Sequence, residues 1–163
     1  MYENIAYDVK GYLSGHKDVS PEGVYRNGYG VCAGYSRLFK YIGTYIGLYV
    51  FCVSGYAKGV GYSPEEKISG TNHEWNIIKL DRVYYQIDST WGAGSVNGNI
   101  FIKEFEEFYF CPEPEQFFSS HFPEDSKCQL ITKVYLLKIL LKELSFILLF
   151  IHILQKLIQL IIL

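Results

Sequence analysis

The stretch Gly28-Tyr29-Gly30-Val31-Cys32-Ala33-Gly34-Tyr35-Ser36 decides how this 163-residue chain is read. It is a glycine-rich loop that closes on a cysteine and runs into a helix. From there the apolar residues fall at Tyr35, Leu38, Phe39, Ile42 and Ile46, the repeat of a helix with one buried face. Cys32 therefore lies at or just before the first helical turn. Unpaired backbone N–H groups and the positive end of the helix dipole there favour a thiolate over a thiol. Such a position takes a cysteine pKa from about 8.5 into the range of roughly 3.5 to 7.5. Gly28, Gly30 and Gly34 are expected to leave room for a substrate backbone beside the sulfur. A lone cysteine is more often a small buried hydrophobe, so the weight falls on what the chain supplies downstream.

Downstream, His73 to Leu80 and Val83 to Asp88 read as two strands joined at Asp81-Arg82. With the turn centred between these two residues, Trp75 faces Asp88 and His73 faces Thr90, all on one side of the sheet. His73 and Asp88 are then diagonal neighbours within side-chain reach, whereas a slip of one residue would put them on opposite faces. Cys32, His73 and Asp88 are thus candidates for nucleophile, general base and orienting carboxylate in acyl transfer. The Cys32 backbone N–H is expected to form part of an oxyanion hole.

The rest of the chain frames these residues. Ser20-Pro21-Glu22 is a helix start, with a capping serine and a proline in the first turn. The helix from Cys32 is expected to run to about Gly47. Leu48 to Tyr56 reads as a strand, Ala57 to Asn72 as a long loop, Ser89 to Gly98 as a glycine-rich loop, Ile100 to Phe110 as a weak strand, and Pro112 to His121 as holding a short helix. Met1 to Tyr7 reads as the last turns of a helix cut short at its N-terminus, and Gly11 to Gly15 as a loop.

Nearly half the residues are hydrophobic, so a sizeable core is within reach, and a net charge of −2 gives no reason to expect nucleic acid as a partner. The cysteines Cys32, Cys52, Cys111 and Cys128 form no C-x-x-C pair, and no basic-then-apolar leader follows Met1. Free thiols in a reducing, cytoplasmic setting are expected. No acidic calcium-binding run is visible, so no metal and no cofactor are expected. All 15 glycines lie at or before Gly98, and from Val134 the chain is nearly all Leu, Ile and Phe. Residues 132–163 read as an apolar helix with a narrow polar stripe. Its longest stretch without Lys or Glu, Leu144 to Gln155, falls short of the roughly 20 residues of a membrane span, which argues against membrane association. An interfacial helix, a helix buried against another surface and a product of gene prediction are all compatible with it.

The segments GVCAGYSRLF, GYAKGVGY, NHEWNIIKL and YYQIDSTWGAG resemble the transglutaminase-like superfamily, and within it the kyphoscoliosis-peptidase branch. ENIAYD near the start and HFPEDSKCQLI further on fit the same branch, so the resemblance covers about Glu3 to Ile131. It implies an α+β, papain-like core, with the nucleophile helix packed on an antiparallel sheet, over residues 1–131. It matches Cys32, His73 and Asp88 to the family's triad. Gly30, Tyr35, Asn72, Trp75 and Trp91 are expected to line or support the groove, with Trp75 flanking the triad and Trp91 capping it. Cys128 stands where the branch has a tryptophan. His16, His121 and His152 are isolated in sequence and read as solvated or structural. The resemblance implies an intracellular thiol enzyme that acts through a thioester on a protein, as peptidase or cross-linker, and favours the peptidase. The alternative is a silent interaction module with a cytoskeletal partner.

Overall fold

A computed structural model describes residues 1–59, 62–63 and 70–131. The expected apolar helix at 132–163 and part of the long loop before Asn72 lie outside the described residues. Met1–Leu130 form one compact unit. Ala6–Tyr7 (β1) leads through the short helix Val9–Ser14 (α1) to the helix Pro21–Asn27 (α2). Tyr29–Gly30 (β2) then pairs in parallel with β1, and Cys32–Tyr45 (α3) begins immediately after it. Tyr49–Ala57 (β3), His73–Leu80 (β4) and Val83–Ile87 (β5) make an antiparallel meander. Gly94–Asn97 (β6) and Ile100–Lys103 (β7) form a separate hairpin. The helix Pro114–Phe118 (α4) and the strand His121–Pro123 (β8) follow. The main sheet has the order β5-β4-β3-β8 and is antiparallel throughout. The expected α+β class, with the cysteine helix packed on an antiparallel sheet, is the observed one.

The β4–β5 register is the expected one. Asn76 pairs with Ile87 and Leu80 with Val83, and Asp81 takes a positive φ of 53° in the turn. Both faces of β4 are covered along its middle, where Trp75, Asn76, Ile77 and Ile78 are all buried. On one face Ile78 joins Val50 and Ile87, packed against Phe39 of α3. On the other, Trp75 and Ile77 join Val53 and Phe117, with Cys128 against them. Buried polar groups tie these layers together. The Ser36 hydroxyl donates to the Trp75 carbonyl at 2.9 Å, and the Asn76 amide donates to the Ser36 carbonyl at 3.0 Å. The Trp75 indole donates to Gln86 at 2.9 Å, and the Gln86 amide donates to the Cys128 carbonyl at 2.8 Å. Among the described residues no helix is long and apolar enough to cross a membrane.

Several expectations fail for local reasons. Met1 to Tyr7 is not a helix. It ends in β1, which pairs with β2, and the Tyr35 hydroxyl donates to the Ile5 carbonyl at 2.6 Å. Gly11 to Gly15 is not a loop, because the Asp8 carboxylate caps α1 by accepting the Gly11 N–H at 2.8 Å. The β6–β7 ladder ends at Lys103, a 3-10 turn occupies Glu107–Tyr109, and Phe110 makes only an isolated antiparallel bridge with Ile87 of β5. Nor do the glycines flanking the cysteine open a path to it. A β-carbon at Gly30 would lie 2.9 Å from the Val24 side chain, and one at Gly34 2.7 Å from it. These glycines let the fully buried Val24 of α2 wedge between β2 and α3.

Gly55 serves a second close approach, between His73 on β4 and Pro123 on β8. A β-carbon there would meet the Trp75 ring at 2.5 Å and Pro123 Cα at 2.8 Å. Backbone cannot yield as a flexible side chain can, so Gly55→Ala is expected to cost about 1–3 kcal/mol of stability. Urea unfolding of the two proteins checks this, and an unchanged midpoint would contradict it.

Candidate active site

Cys32 is the first residue of α3. The residue before it, Val31, is extended and provides no side-chain cap. The donors of the first turn are therefore left for other acceptors. The thiol is half-buried and interacts with the His73 ring, with the backbone N–H groups of Glu74 and Ala33 also favouring its charged form. His73 opens β4, and Asp88 lies one residue past the end of β5. As the register requires, they meet on the diagonal, with His73 Nε2 at 2.6 Å from Asp88 Oδ2. With Nε2 taken, Nδ1 is the ring nitrogen left for the thiol.

Asp88 is held from four directions. Oδ1 accepts the backbone N–H of Thr90 at 2.9 Å and of Trp91 at 3.1 Å. Oδ2 accepts from His73 and also from His121 Nε2 at 3.1 Å. Sequence reasoning missed His121. It is buried at 1% exposure rather than solvated, and it reaches the site because β8 pairs with β3 at Ala57↔His121. The usable signal was its position at the head of HFPEDSKCQLI, a segment already similar to the branch.

The charges follow from these contacts. Burial opposes ionisation of Cys32, but the hydrogen bond and positive charge of His73, with the two backbone N–H groups, outweigh it and lower the thiol pKa. Burial likewise opposes a charged His73. The negative charge and hydrogen bond of Asp88 outweigh it and push His73 up to about 10. Burial of Asp88 is overcome by the His73 charge and by hydrogen bonds from both rings, which hold the carboxyl well below the usual carboxylate range. His121 goes the other way, lowered by burial and by the neighbouring His73 charge despite Asp88.

The other expected residues have distinct places. The Trp91 ring lies 5.2 Å from the His73 ring and 4.7 Å from that of His121. Trp75 is buried 6.1 Å from His73. The Asn72 side chain pairs with both the N–H and the carbonyl of Ala57, at 2.7 and 3.0 Å, which fixes the entry to β4. Tyr35 is fully buried under β1, and Gly30 packs on Val24, so both act from beneath the helix rather than from a groove wall. His73, Asp88 and His121 present donor atoms within 4.8 Å of one another, close enough for a metal ion. Those atoms are engaged with each other, however, as both Nε2 groups point at a single oxygen, and they fit a hydrogen-bonded cluster better than a coordination shell.

A cysteine at the head of a helix laid on an antiparallel sheet, with a histidine and an aspartate from adjoining strands, is the arrangement of a transglutaminase-like protein. No family model matches the chain. It is 33% identical over 132 residues to kyphoscoliosis peptidase of Mus musculus, covering 78% of this chain and 20% of that protein. It is 37% identical over 103 residues to kyphoscoliosis peptidase of Homo sapiens, covering 61% of this chain and 16% of that protein. The chain thus spans a fifth or less of the length of these relatives. It belongs to the kyphoscoliosis-peptidase branch of the transglutaminase-like superfamily.

Two outcomes follow from the charges. In His73→Ala the burial of Cys32 remains while its main stabilising partner is lost. Its thiol pKa then rises above the ordinary value, and alkylation by iodoacetamide at pH 6.5 slows by about tenfold or more. An unchanged rate would contradict the coupling. Stability depends on pH with a defined sign. The lowered Asp88 contributes stability above its unfolded value of about 3.9, and this is lost on acidification. The raised His73 contributes below its unfolded value of about 6.5, and this is lost as pH climbs toward about 10. The stability advantage of the wild type over Asp88→Asn should therefore plateau between about pH 4 and 6.5 and shrink on both sides. Urea midpoints across pH test it, and an advantage independent of pH would count against an ionised pair.

Proposed function

We propose that the protein is a cysteine-dependent acyl-transfer enzyme in which Cys32, His73 and Asp88 act as nucleophile, general base and orienting carboxylate. The observation that carries this reading is the 2.6 Å contact between His73 and a buried Asp88, with the thiol beside the same ring. The thiolate attacks an acyl carbonyl carbon, forming a C–S bond and moving the carbonyl electron pair onto oxygen. The Cys32 backbone N–H at the head of α3 faces that oxyanion. Collapse of the tetrahedral adduct expels the amine, which takes its proton from His73, and leaves a thioester. His73 then deprotonates the incoming acceptor, and attack on the thioester carbon restores the thiolate. Water as acceptor gives a peptidase, and a lysine amine gives a cross-linker. The name shared by both relatives, kyphoscoliosis peptidase, favours the peptidase.

Residues 1–131 form the catalytic unit in this reading, and its substrate is a protein segment. A reducing, cytoplasmic setting suits it, since all four cysteines are free. A second reading has its own support. A groove of about 510 Å³ between α2 and α3, walled by Pro21, Tyr25, Leu38, Tyr41 and Ile42, is separate from the triad and suits a non-catalytic module that holds a partner such as a cytoskeletal protein. Acyl-enzyme trapping separates the two. Incubation with p-nitrophenyl acetate should leave one acetyl group on Cys32 with steady release of nitrophenol, and none on that site in Cys32→Ala. Asp88→Asn should lower turnover by about 10²- to 10⁴-fold. Equal labelling of wild type and Cys32→Ala by intact mass would leave only the interaction module.

A further inference from the structure

His121 has no part in the catalytic steps above, yet it is among the most completely buried polar side chains and contacts the same carboxylate oxygen as His73. Its ring is walled by aromatic groups. Phe117 stacks on it at 3.9 Å and 16°, and Trp75, Trp91 and Tyr109 meet it edge-on at 5.2, 4.7 and 6.1 Å. The ionised Asp88 carboxylate only accepts, so His121 Nε2 carries the proton given to it. Nδ1 lies 2.9 Å from the Ser120 hydroxyl, whose own proton has a second, longer acceptor in the Phe117 carbonyl at 3.4 Å. The backbone on either side is fixed as well. Ala57 pairs with His121 across the sheet, and the Lys58 N–H donates to the Ser120 carbonyl at 2.9 Å.

We propose that His121 is a positioning residue for the triad: its Nε2–H locks the Asp88 carboxylate so that Oδ2 stays on the His73 ring, while His121 itself stays uncharged. A carboxylate has about four acceptor sites, and the four donors already described occupy them here. The two backbone donors fix Oδ1, and they leave rotation of the group opposed at Oδ2 only by the two rings. Without His121, Oδ2 would present an empty acceptor site to a box of aromatic rings, where an unsatisfied charged oxygen is costly. Relief would come by turning the carboxylate or by protonating it, and either loosens its hold on His73. The ionisable groups that face His121 are Asp88, His73 and the Tyr109 phenol. The first favours a charged ring and the second opposes it. With a proton already resident on His73, a second cation 5.7 Å away is disfavoured, and the positive charge stays on the ring that touches the thiol.

This role rests on reading Cys32, His73 and Asp88 as a triad, and the test keeps the two apart. Nitrogen-15 histidine NMR of the full chain should show two ring N–H protons protected by Asp88, with His121 neutral between about pH 6.5 and 8. A doubly protonated His121 in that window overturns the proposal. In His121→Phe, which fills the aromatic box without a donor, the His73 N–H should lose its protection. The apparent pKa for Cys32 alkylation by iodoacetamide should rise by about one unit, a tenfold loss of rate below it. In His121→Gln, whose amide can replace the donor, both should return to within about threefold of the wild type. Protection of the His73 proton that survives unchanged in His121→Phe also overturns the proposal. If the protons behave as stated while the wild type forms no acyl-enzyme, the positioning role holds and the enzymatic reading is the one that fails.

Discussion

A single buried carboxylate organises this domain. Asp88 is 1% exposed, and a charge at that depth is tolerable only when every acceptor site is filled. Its donors come from separate parts of the chain, namely the 3-10 turn at Trp91–Ala93, the first residue of β4 and the first residue of β8. Satisfying one side chain thus brings three segments to one place. The effect then passes outward: Asp88 raises the pKa of His73, and His73 lowers that of the Cys32 thiol.

The surrounding architecture serves that demand. The two-residue turn at Asp81-Arg82 sets β5 against β4 in the one parity that puts a residue just beyond Ile87 diagonal to His73. Burial of both faces of β4, by α3 and by the Phe117 layer, keeps that register from slipping. Glycines act where backbones must close in. Gly55 admits β8 and with it His121, and Gly30 and Gly34 admit Val24 beneath the cysteine. The groove between α2 and α3 lies on a different part of the surface, with none of Cys32, His73 and Asp88 in its wall.

The residues that could be placed from sequence were those with a local rule behind them. The apolar repeat after Cys32 specified its helix, the parity of the hairpin specified which residues share a face with Asp88, and Ser20-Pro21 specified the start of α2. The misses depended on contacts distant in sequence. Nothing within a few residues of His121 indicates that pairing of β8 with β3 will carry it to Asp88. Nothing within Met1 to Tyr7 shows that β2 will claim it as a strand. The glycines beside Cys32 suggested an open approach because sequence cannot show that Val24 fills the space. The Asp8 cap is the exception, a local signal available in the sequence and overlooked because Gly11 and Gly15 suggested a loop.

The central claim is that Asp88 remains ionised in the interior because four donors hold it there. The most direct measurement is the carboxyl carbon-13 shift of Asp88 followed through an acid titration of the folded protein. The account predicts a carboxylate signal that persists well below the ordinary aspartate value of about 3.9. A midpoint at or above that value would mean that burial outweighs the donors, and the chain of charge from Asp88 through His73 to Cys32 would have no source.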